Sequence, residues 1–190
     1  MHPSYHKVLS ISAGILLLGR VVSYSQPAAL PPAFQLKLEA MQLEIFRPLD
    51  SDYQPVAPQP GDFQEYDYII RSRSEKMEIR YLAIPYREDQ WDSQYPHILA
   101  TRMVTHVATN AEDAPISLLS LGTTELDAFH ADWGVVYFFT PKDQVSERRT
   151  GELLVLHKEQ RGTILVFFFF DDPDNPAIDR RFQSVQFIDQ

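Results

Sequence analysis

The sequence predicts an α+β domain with a mostly antiparallel central sheet of about six strands that is sandwiched by helices. Residues 133–139 (WGVVYFF) and 162–170 (GTILVFFFF) carry no charged side chain, which is typical of strands covered on both faces. Short polar segments at 71–76 and 158–162 separate strand-like stretches and predict hairpins, which join antiparallel neighbours. The amphipathic pattern at 96–110 predicts a helix on this sheet.

The first half of the domain is predicted to hold a helix, a strand and a hairpin. Residues 34–40 are rich in Leu, Lys, Glu and Ala, which favour helix, and the apolar alternation at 42–47 predicts a strand. Four prolines in 48–62 predict a loop through which no sheet ladder runs, because proline lacks an N–H donor. The hairpin covers 65–85 and is predicted to place these apolar residues on one face of each strand: Tyr66, Tyr68 and Ile70, then Met77, Ile79, Tyr81 and Ala83.

The second half is predicted to hold most of the sheet. The helix at 96–110 has Pro96 in its first turn, where a missing N–H costs nothing. Residues 116–122 form a short apolar piece whose type the pattern leaves open. The other predicted elements are a single helical turn capped by Thr123 or Thr124 that ends at Phe129, strands at 133–139, 151–158 and 162–170, and a closing helix at 177–185 followed by a short tail.

The N-terminus has the pattern of a secretory signal peptide. Lys7 lies in a polar start, residues 8–19 are apolar, and Ser23 and Ser25 place small residues where a signal peptidase needs them. The apolar run is shorter than the roughly 20 residues of a bilayer crossing. We predict cleavage after Ser25. The alternatives are a buried N-terminal helix or an uncleaved anchor.

Cleavage at that point divides the chain into three parts. Residues 1–25 are the signal peptide, residues 26–33 a flexible proline-rich lead-in, and residues 34–190 a single α+β domain. Export without any cysteine is compatible with a bacterial periplasm or exterior and fits less well with a small eukaryotic secreted module, which usually needs disulfides. We therefore predict a protein of the bacterial periplasm or the extracellular space.

Charge and cysteine content exclude several classes of function. Removing residues 1–25 takes away Lys7 and Arg20 but no acid, so the formal net charge falls from −9 to −11. Such a chain is repelled by nucleic acid and has no polybasic segment for anionic lipid. We predict no nucleic-acid partner and no membrane span after signal cleavage. The absence of cysteine excludes thiol catalysis, thiolate metal sites and disulfides.

His130 and Asp132, just before strand 133–139, are the first candidate catalytic residues. A histidine beside a carboxylate can act as a base with an orienting partner. The sequence offers no G-x-S-x-G motif and no serine nearby, so a nucleophile would have to come from elsewhere in the fold. The structural alternative, which we favour, is that Asp132 accepts backbone N–H bonds at a turn while Trp133 packs in the core.

The histidines and one acidic loop are the possible metal ligands. His97, His106, His130 and His157 form no H-E-x-x-H or i, i+4 pair, so we expect structural roles for them. Oxygen ligands at short spacing suit calcium, but a strand terminator and a helix N-terminus explain the same acids. The loop residues concerned are Asp171, Asp172, Asp174, Asn175 and Asp179. We assign no metal-binding residue and predict no cofactor.

Aromatic residues suggest a groove, and isolated glycines argue against a nucleotide site. No glycine-rich loop is present to cradle phosphates. Aromatic side chains often line binding sites, but tyrosine is equally an ordinary half-buried strand residue. The possible groove residues are Tyr53, Tyr66, Tyr68, Tyr81, Tyr86, Tyr95 and Trp91.

The order of these elements resembles a known family. The segment ADWG leading into an aromatic strand, followed by LHK, G, LVFFFFDDP and RFQSVQF, is similar to the PsbP-like α/β/α sandwich, in particular to its uncharacterised exported bacterial members. The resemblance covers roughly residues 34 to 188. It implies an accessory or interaction role and transfers no catalytic, cofactor-binding or metal residue.

Three hypotheses of function follow. The leading one is an exported, non-catalytic accessory or binding domain for an unknown protein or small molecule. The second is a small hydrolase or lyase that uses His130, Asp132 or His157, which would require these side chains to converge in a pocket. The third is a structural component of an envelope complex that docks through the proline-rich segments 26–33 and 48–62.

Overall fold

The structure, a computed structural model, describes residues 30–46, 51–57 and 63–188. The predicted signal peptide lies outside the described residues. The helices are α1 (Pro32–Met41), α2 (Pro96–Val107), α3 (Thr123–Phe129) and α4 (Ala177–Phe182), with a 3-10 turn at Trp91–Ser93. The strands are β1 (Leu43–Ile45), β2 (Gln54–Pro55), β3 (Tyr68–Ser72), β4 (Met77–Pro85), β5 (Ser117–Ser120), β6 (Trp133–Phe139), β7 (Thr150–Lys158), β8 (Gly162–Phe170) and β9 (Val185–Phe187).

An antiparallel sheet of seven strands forms the centre of the molecule. Its order is β2-β3-β4-β8-β7-β6-β5, and every neighbouring pair is antiparallel. A separate two-stranded sheet pairs β1 with β9. The predicted α+β class is confirmed, with seven strands in the main sheet instead of about six. The strand predicted at 42–47 belongs to the small sheet.

Alternate residues of the central strand β8 are buried on opposite faces of the sheet, and all nine of its residues are buried. Ile164, Val166, Phe168 and Phe170 join one core cluster, while Leu165, Phe167 and Phe169 join another. This double burial explains why the segment carries no charge. The prediction that 133–139 and 162–170 are inner strands of one layered sheet is confirmed.

Helices cover both faces, as predicted. The first core cluster includes side chains from α1, α3, α4 and β9, so this side is called the α1/α4 face. The second includes five residues of α2, from Leu99 to Val107, and is called the α2 face. The α2 residues fit the predicted apolar stripe. No helix within the described ranges is long and apolar enough to span a bilayer.

Three predictions of local structure are wrong. The proline-rich loop contributes a sheet strand after all, because Gln54 and Pro55 pair with β3 at the sheet edge, where a proline is tolerated since its missing N–H can face outward. Tyr66 precedes β3 and packs on the α2 face, opposite to Tyr68. The closing helix, predicted to reach residue 185, ends at Phe182, and Val185 begins strand β9.

Candidate functional site

His130 ends α3 and is held by the small sheet. Its backbone has φ 52°, in the left-handed region. The ring donates from Nδ1 to the carbonyl oxygen of Phe187 at 2.8 Å, and the Gln186 amide nitrogen lies 3.3 Å from the ring. Nδ1 is therefore engaged with a main-chain carbonyl, and the ring joins the end of α3 to β9.

Asp132 binds the neighbouring turn. Its Oδ2 accepts a hydrogen bond from the Glu159 N–H at 2.8 Å, and the Lys158 ammonium lies 3.8 Å from Oδ1. The same ammonium donates to the His130 carbonyl oxygen at 2.7 Å. The prediction that Asp132 accepts a backbone N–H at a turn is confirmed, although the donor belongs to the β7–β8 turn. Trp133 is half-buried and packs against the α2 face.

His157 is buried in the sheet, with its Nδ1 2.9 Å from the Thr163 hydroxyl. Burial lowers the pKa of His157 and outweighs the opposing influence of Asp132 and Glu159. Strand alternation puts this ring on the α2 face with Val155, whereas His130 contacts β9 over the opposite face. The structure therefore does not bring His130 and His157 into one pocket. The hypothesis of a hydrolase or lyase that uses both residues would need such a pocket.

The acidic loop after β8 uses its oxygens within the protein. Asp171 pairs with Arg148 at 2.6 Å, and this guanidinium lowers the pKa of Asp171. Asp172 accepts the Asp174 N–H at 3.0 Å, and Asn175 accepts the Ala177 N–H at the start of α4. These contacts match the expected strand terminator and helix start. No group of three His, Asp or Glu residues that could hold a metal is found among the residues the structure describes.

The predicted tyrosine groove does not form. Tyr53, Tyr66, Tyr68 and Tyr81 are all buried in the cores, where large half-polar rings fill the space between strands and helices. Tyr86 is half-buried. Only Tyr95 and Trp91 of the predicted set are exposed, and they lie together at the start of α2.

The outer side of α2 forms a shallow, solvent-exposed surface among the described residues. A shallow depression of about 730 Å³ follows the helix and is lined by side chains that we call the α2 surface: His97, Ile98, Thr101, Arg102, Thr105, His106, Asn110 and Lys142. Ile98 in this lining, and Trp91, Tyr95 and Phe63 beside it, are each more than a third exposed. Exposed aromatic and aliphatic side chains that cluster in this way are typical of interaction sites.

At each end of this surface a cationic group contacts an aromatic ring. The Arg102 guanidinium lies 4.9 Å from the centre of the Trp91 ring and pairs with Asp92 at 2.6 Å. At the other end, Phe63 stacks on His106 at 4.4 Å between ring centres, and the Lys142 ammonium lies 5.3 Å from the Phe63 ring. Each cation thus reaches the ring face to which it is electrostatically attracted.

Sequence analysis named Trp91, Tyr95, His97 and His106 as separate candidates but did not predict that they lie along one surface. The stripe of buried residues in α2 implies an opposite, exposed side that holds His97, Arg102 and His106. The approach of Phe63 and Lys142, which are 79 residues apart in the chain, depends on the folded chain and leaves no local pattern.

A buried acid lies elsewhere in the sheet. Glu152 of β7 is 8% exposed and lies between Phe138 and Phe168 in the strand register. Burial, with a smaller contribution from Asp179, raises the pKa of Glu152 to about 8. No described residue provides a nucleophile bonded to this carboxyl. This carboxyl lies in an apolar face of the sheet, with Asp179 as a nearby acid.

No protein-family model matches this chain, and neither does any curated protein or solved structure. The PsbP-like relationship therefore stays a prediction.

Proposed function

We propose that this chain is an exported, non-catalytic accessory or binding domain, and that the α2 surface is where it binds its partner. The observation that carries the proposal is the cluster of exposed rings and cations along α2, in a chain that has 26 acidic and 17 basic side chains. Arginine and aromatic residues dominate the binding energy of most interfaces.

The charge of the α2 surface indicates the chemistry of the partner. Arg102 and Lys142 line the depression together with two imidazoles, and Asp92, which pairs with Arg102 beside the depression, offsets one of these charges. Complementary charge favours the encounter with an anionic partner. Trp91, Tyr95 and Ile98 provide apolar contacts beside these cations. We propose that the partner is a protein segment in which acidic side chains alternate with aliphatic or aromatic ones.

The polar residues that were candidates for catalysis have structural partners, which supports a non-catalytic role. Asp132 holds the β7–β8 turn, His130 joins α3 to β9, and His157 bonds Thr163 inside the sheet. Turnover of an ester, peptide or glycan substrate that is lost in His130→Ala would contradict this part of the proposal.

Titration of a peptide onto a single-tryptophan variant tests the site. The chain has two tryptophans, so Trp133→Phe leaves Trp91 as the reporter. The probe is a synthetic peptide of alternating Glu and Phe. We expect a saturable change in Trp91 fluorescence that Arg102→Glu weakens at least tenfold.

Arg180→Glu is the matched control, because Arg180 is an exposed arginine on α4, on the other side of the sheet. It changes the net charge equally and should leave the affinity within about twofold. Equal weakening by the two variants would show that peptide affinity depends on the net charge of the protein and not on the α2 surface. The absence of any saturable change would show that the α2 surface does not bind this peptide. Either result would overturn the proposal.

A further inference from the structure

The strand β5 leaves one edge of the central sheet open. Its four residues are all exposed, with Leu118 62% and Leu119 40% accessible to solvent. The Leu121 N–H donates to the Gly134 carbonyl oxygen, and the register pairs Leu119 with Val136. Antiparallel ladders alternate, so the N–H and C=O groups of Leu118 and Ser120 point away from β6. No described residue bonds to them.

This edge lacks three features that usually prevent edge-to-edge pairing: charged side chains, proline and bulges. The chain carries no charged residue between Asp113 and Glu125. An uncharged strip matters in a chain of net charge −9, because a second copy would otherwise be repelled. The strip is also apolar, and Ile116 beside it is 41% exposed.

The opposite edge is protected. There the Val56 N–H bonds to Ile69, so alternation turns Pro55 outward. Proline has no N–H to offer, and β2 is only two residues long. The two edges of the central sheet therefore differ in the backbone N–H and C=O groups that they offer to a further strand. Of these two edges, only β5 presents both donors and acceptors without a proline.

We propose that β5 is a dimerisation edge at which a second copy of this chain adds its own β5 in antiparallel orientation. The outward residues Leu118 and Ser120 are two positions apart, so a two-fold axis through Leu119 sets each Leu118 opposite the partner's Ser120. This register forms four backbone hydrogen bonds and brings the two Leu119 side chains together on one face. The two β5 strands join the two central sheets into one continuous sheet.

The contact is small, so the dimer is weak. Stable interfaces bury about 1,600 Å², and a strand of four residues with two exposed leucines covers less. We expect a dissociation constant on the order of 10 μM, in the range of transient interfaces.

Sedimentation equilibrium over a range of concentrations measures the dimer directly. Leu118→Lys puts a charge on the edge without disturbing a buried group and should weaken dimerisation at least 30-fold. Leu36→Lys is the matched control, since Leu36 on α1 is 67% exposed and lies outside the edge. It should leave the dissociation constant within about twofold.

A second pair of variants separates backbone pairing from apolar contact. Ser120→Pro removes the outward N–H and no bond to β6, and should abolish the dimer. Ser120→Ala keeps the N–H and should retain it. Circular dichroism of each variant checks that the sheet is intact, and Leu118→Lys decides the matter if Ser120→Pro does not fold.

Cross-linking tests the register, because the chain has no cysteine of its own. Leu119→Cys should form an intermolecular disulfide under mild oxidation, since opposed residues of a non-hydrogen-bonded pair lie within disulfide range. Leu118→Cys is more exposed but lies two positions from its own copy, beyond about 7 Å, and should cross-link much more slowly.

Three results would overturn the proposal. One is a monomer at all concentrations up to 1 mM, and another is a dimer that Leu118→Lys leaves unchanged. The third is faster cross-linking of Leu118→Cys than of Leu119→Cys. A dimer that Ser120→Pro removes and Ser120→Ala keeps would support it.

Discussion

At the scale of single residues, Glu152 shows how an apolar environment changes the chemistry of a carboxyl group. It lies between Phe138 and Phe168, and burial raises the pKa of Glu152 to about 8 from an ordinary value of 4.5. The folded protein therefore holds this proton up to a higher pH than the unfolded chain does. The contribution of this carboxyl to the free energy of unfolding must therefore fall as pH rises between 4.5 and 8.

We predict that Glu152→Gln removes this dependence and raises the free energy of unfolding by up to about 4 kcal/mol at pH 8. The gain should shrink towards zero near pH 4.5. Urea unfolding at several pH values measures the difference in the free energy of unfolding between the wild type and the variant. The contribution of His157 cancels in this difference because both proteins contain it. A difference that stays constant with pH would show that the carboxyl is not held in its neutral form.

Asp132 gives a second prediction at this scale. Asp132→Ala should lower the free energy of unfolding by about 1 kcal/mol, because the Glu159 N–H loses its acceptor. Binding of the acidic peptide should be unchanged. Asp143→Ala is the control, since Asp143 is also exposed, and it should change stability by less than about 0.5 kcal/mol. A loss of peptide affinity in Asp132→Ala alone would place this residue in the binding site.

The role of Asp132 could be predicted from sequence because a turn acceptor is a local property. The burial of the tyrosines could not. Tyr53 and Tyr95 have similar local settings, yet Tyr53 is fully buried and Tyr95 is 46% exposed. The difference depends on which elements pack over each ring, and no short-range pattern contains that information.

At the scale of elements, a buried ion pair fastens α4 to the turn between β3 and β4. Arg181 donates from Nε to Glu75 at 3.0 Å, and the Tyr53 hydroxyl donates to the same carboxylate at 2.8 Å. Hydrogen bonds from Arg181 and Tyr53 lower the pKa of Glu75 despite the opposing effect of burial. Three segments distant in the chain therefore meet at one carboxylate.

We predict that Arg181→Ala lowers the free energy of unfolding by about 3 kcal/mol, because it leaves Glu75 without its cation in a mostly buried position. Adding Glu75→Gln to Arg181→Ala should recover part of the loss. A double-mutant cycle by urea unfolding measures the coupling between the two residues. Strict additivity of the two changes would contradict a direct interaction.

Long elements were predictable and short ones were not. Strands β6, β7 and β8 have seven or nine residues, enough for the apolar pattern to repeat. Strands β2 and β9 have two and three, which is too few for any period to be visible. Their pairing depends on partners far away in the chain, as when β9 joins β1.

At the scale of the whole molecule, the predicted sheet with helices on both faces is confirmed, since the runs in β6 and β8 leave no polar face for solvent. Export stays a prediction. When the full chain is produced in a secreting bacterial host, we expect the recovered protein to lack residues 1–25. Ser25→Trp should block cleavage because the peptidase needs a small residue there, whereas Tyr24→Phe should not. Recovery of the whole chain as the only product in the wild type would contradict the prediction.

The account depends most on the α2 surface as the binding site, and amide chemical shifts test it most directly. The measurement is the change in amide chemical shifts of the folded protein as the alternating Glu and Phe peptide is added. The account predicts saturable changes clustered at 97–106 and at the neighbouring residues Phe63, Trp91 and Lys142. Changes centred on His130, Asp132 and His157, or no saturable change anywhere, would contradict it.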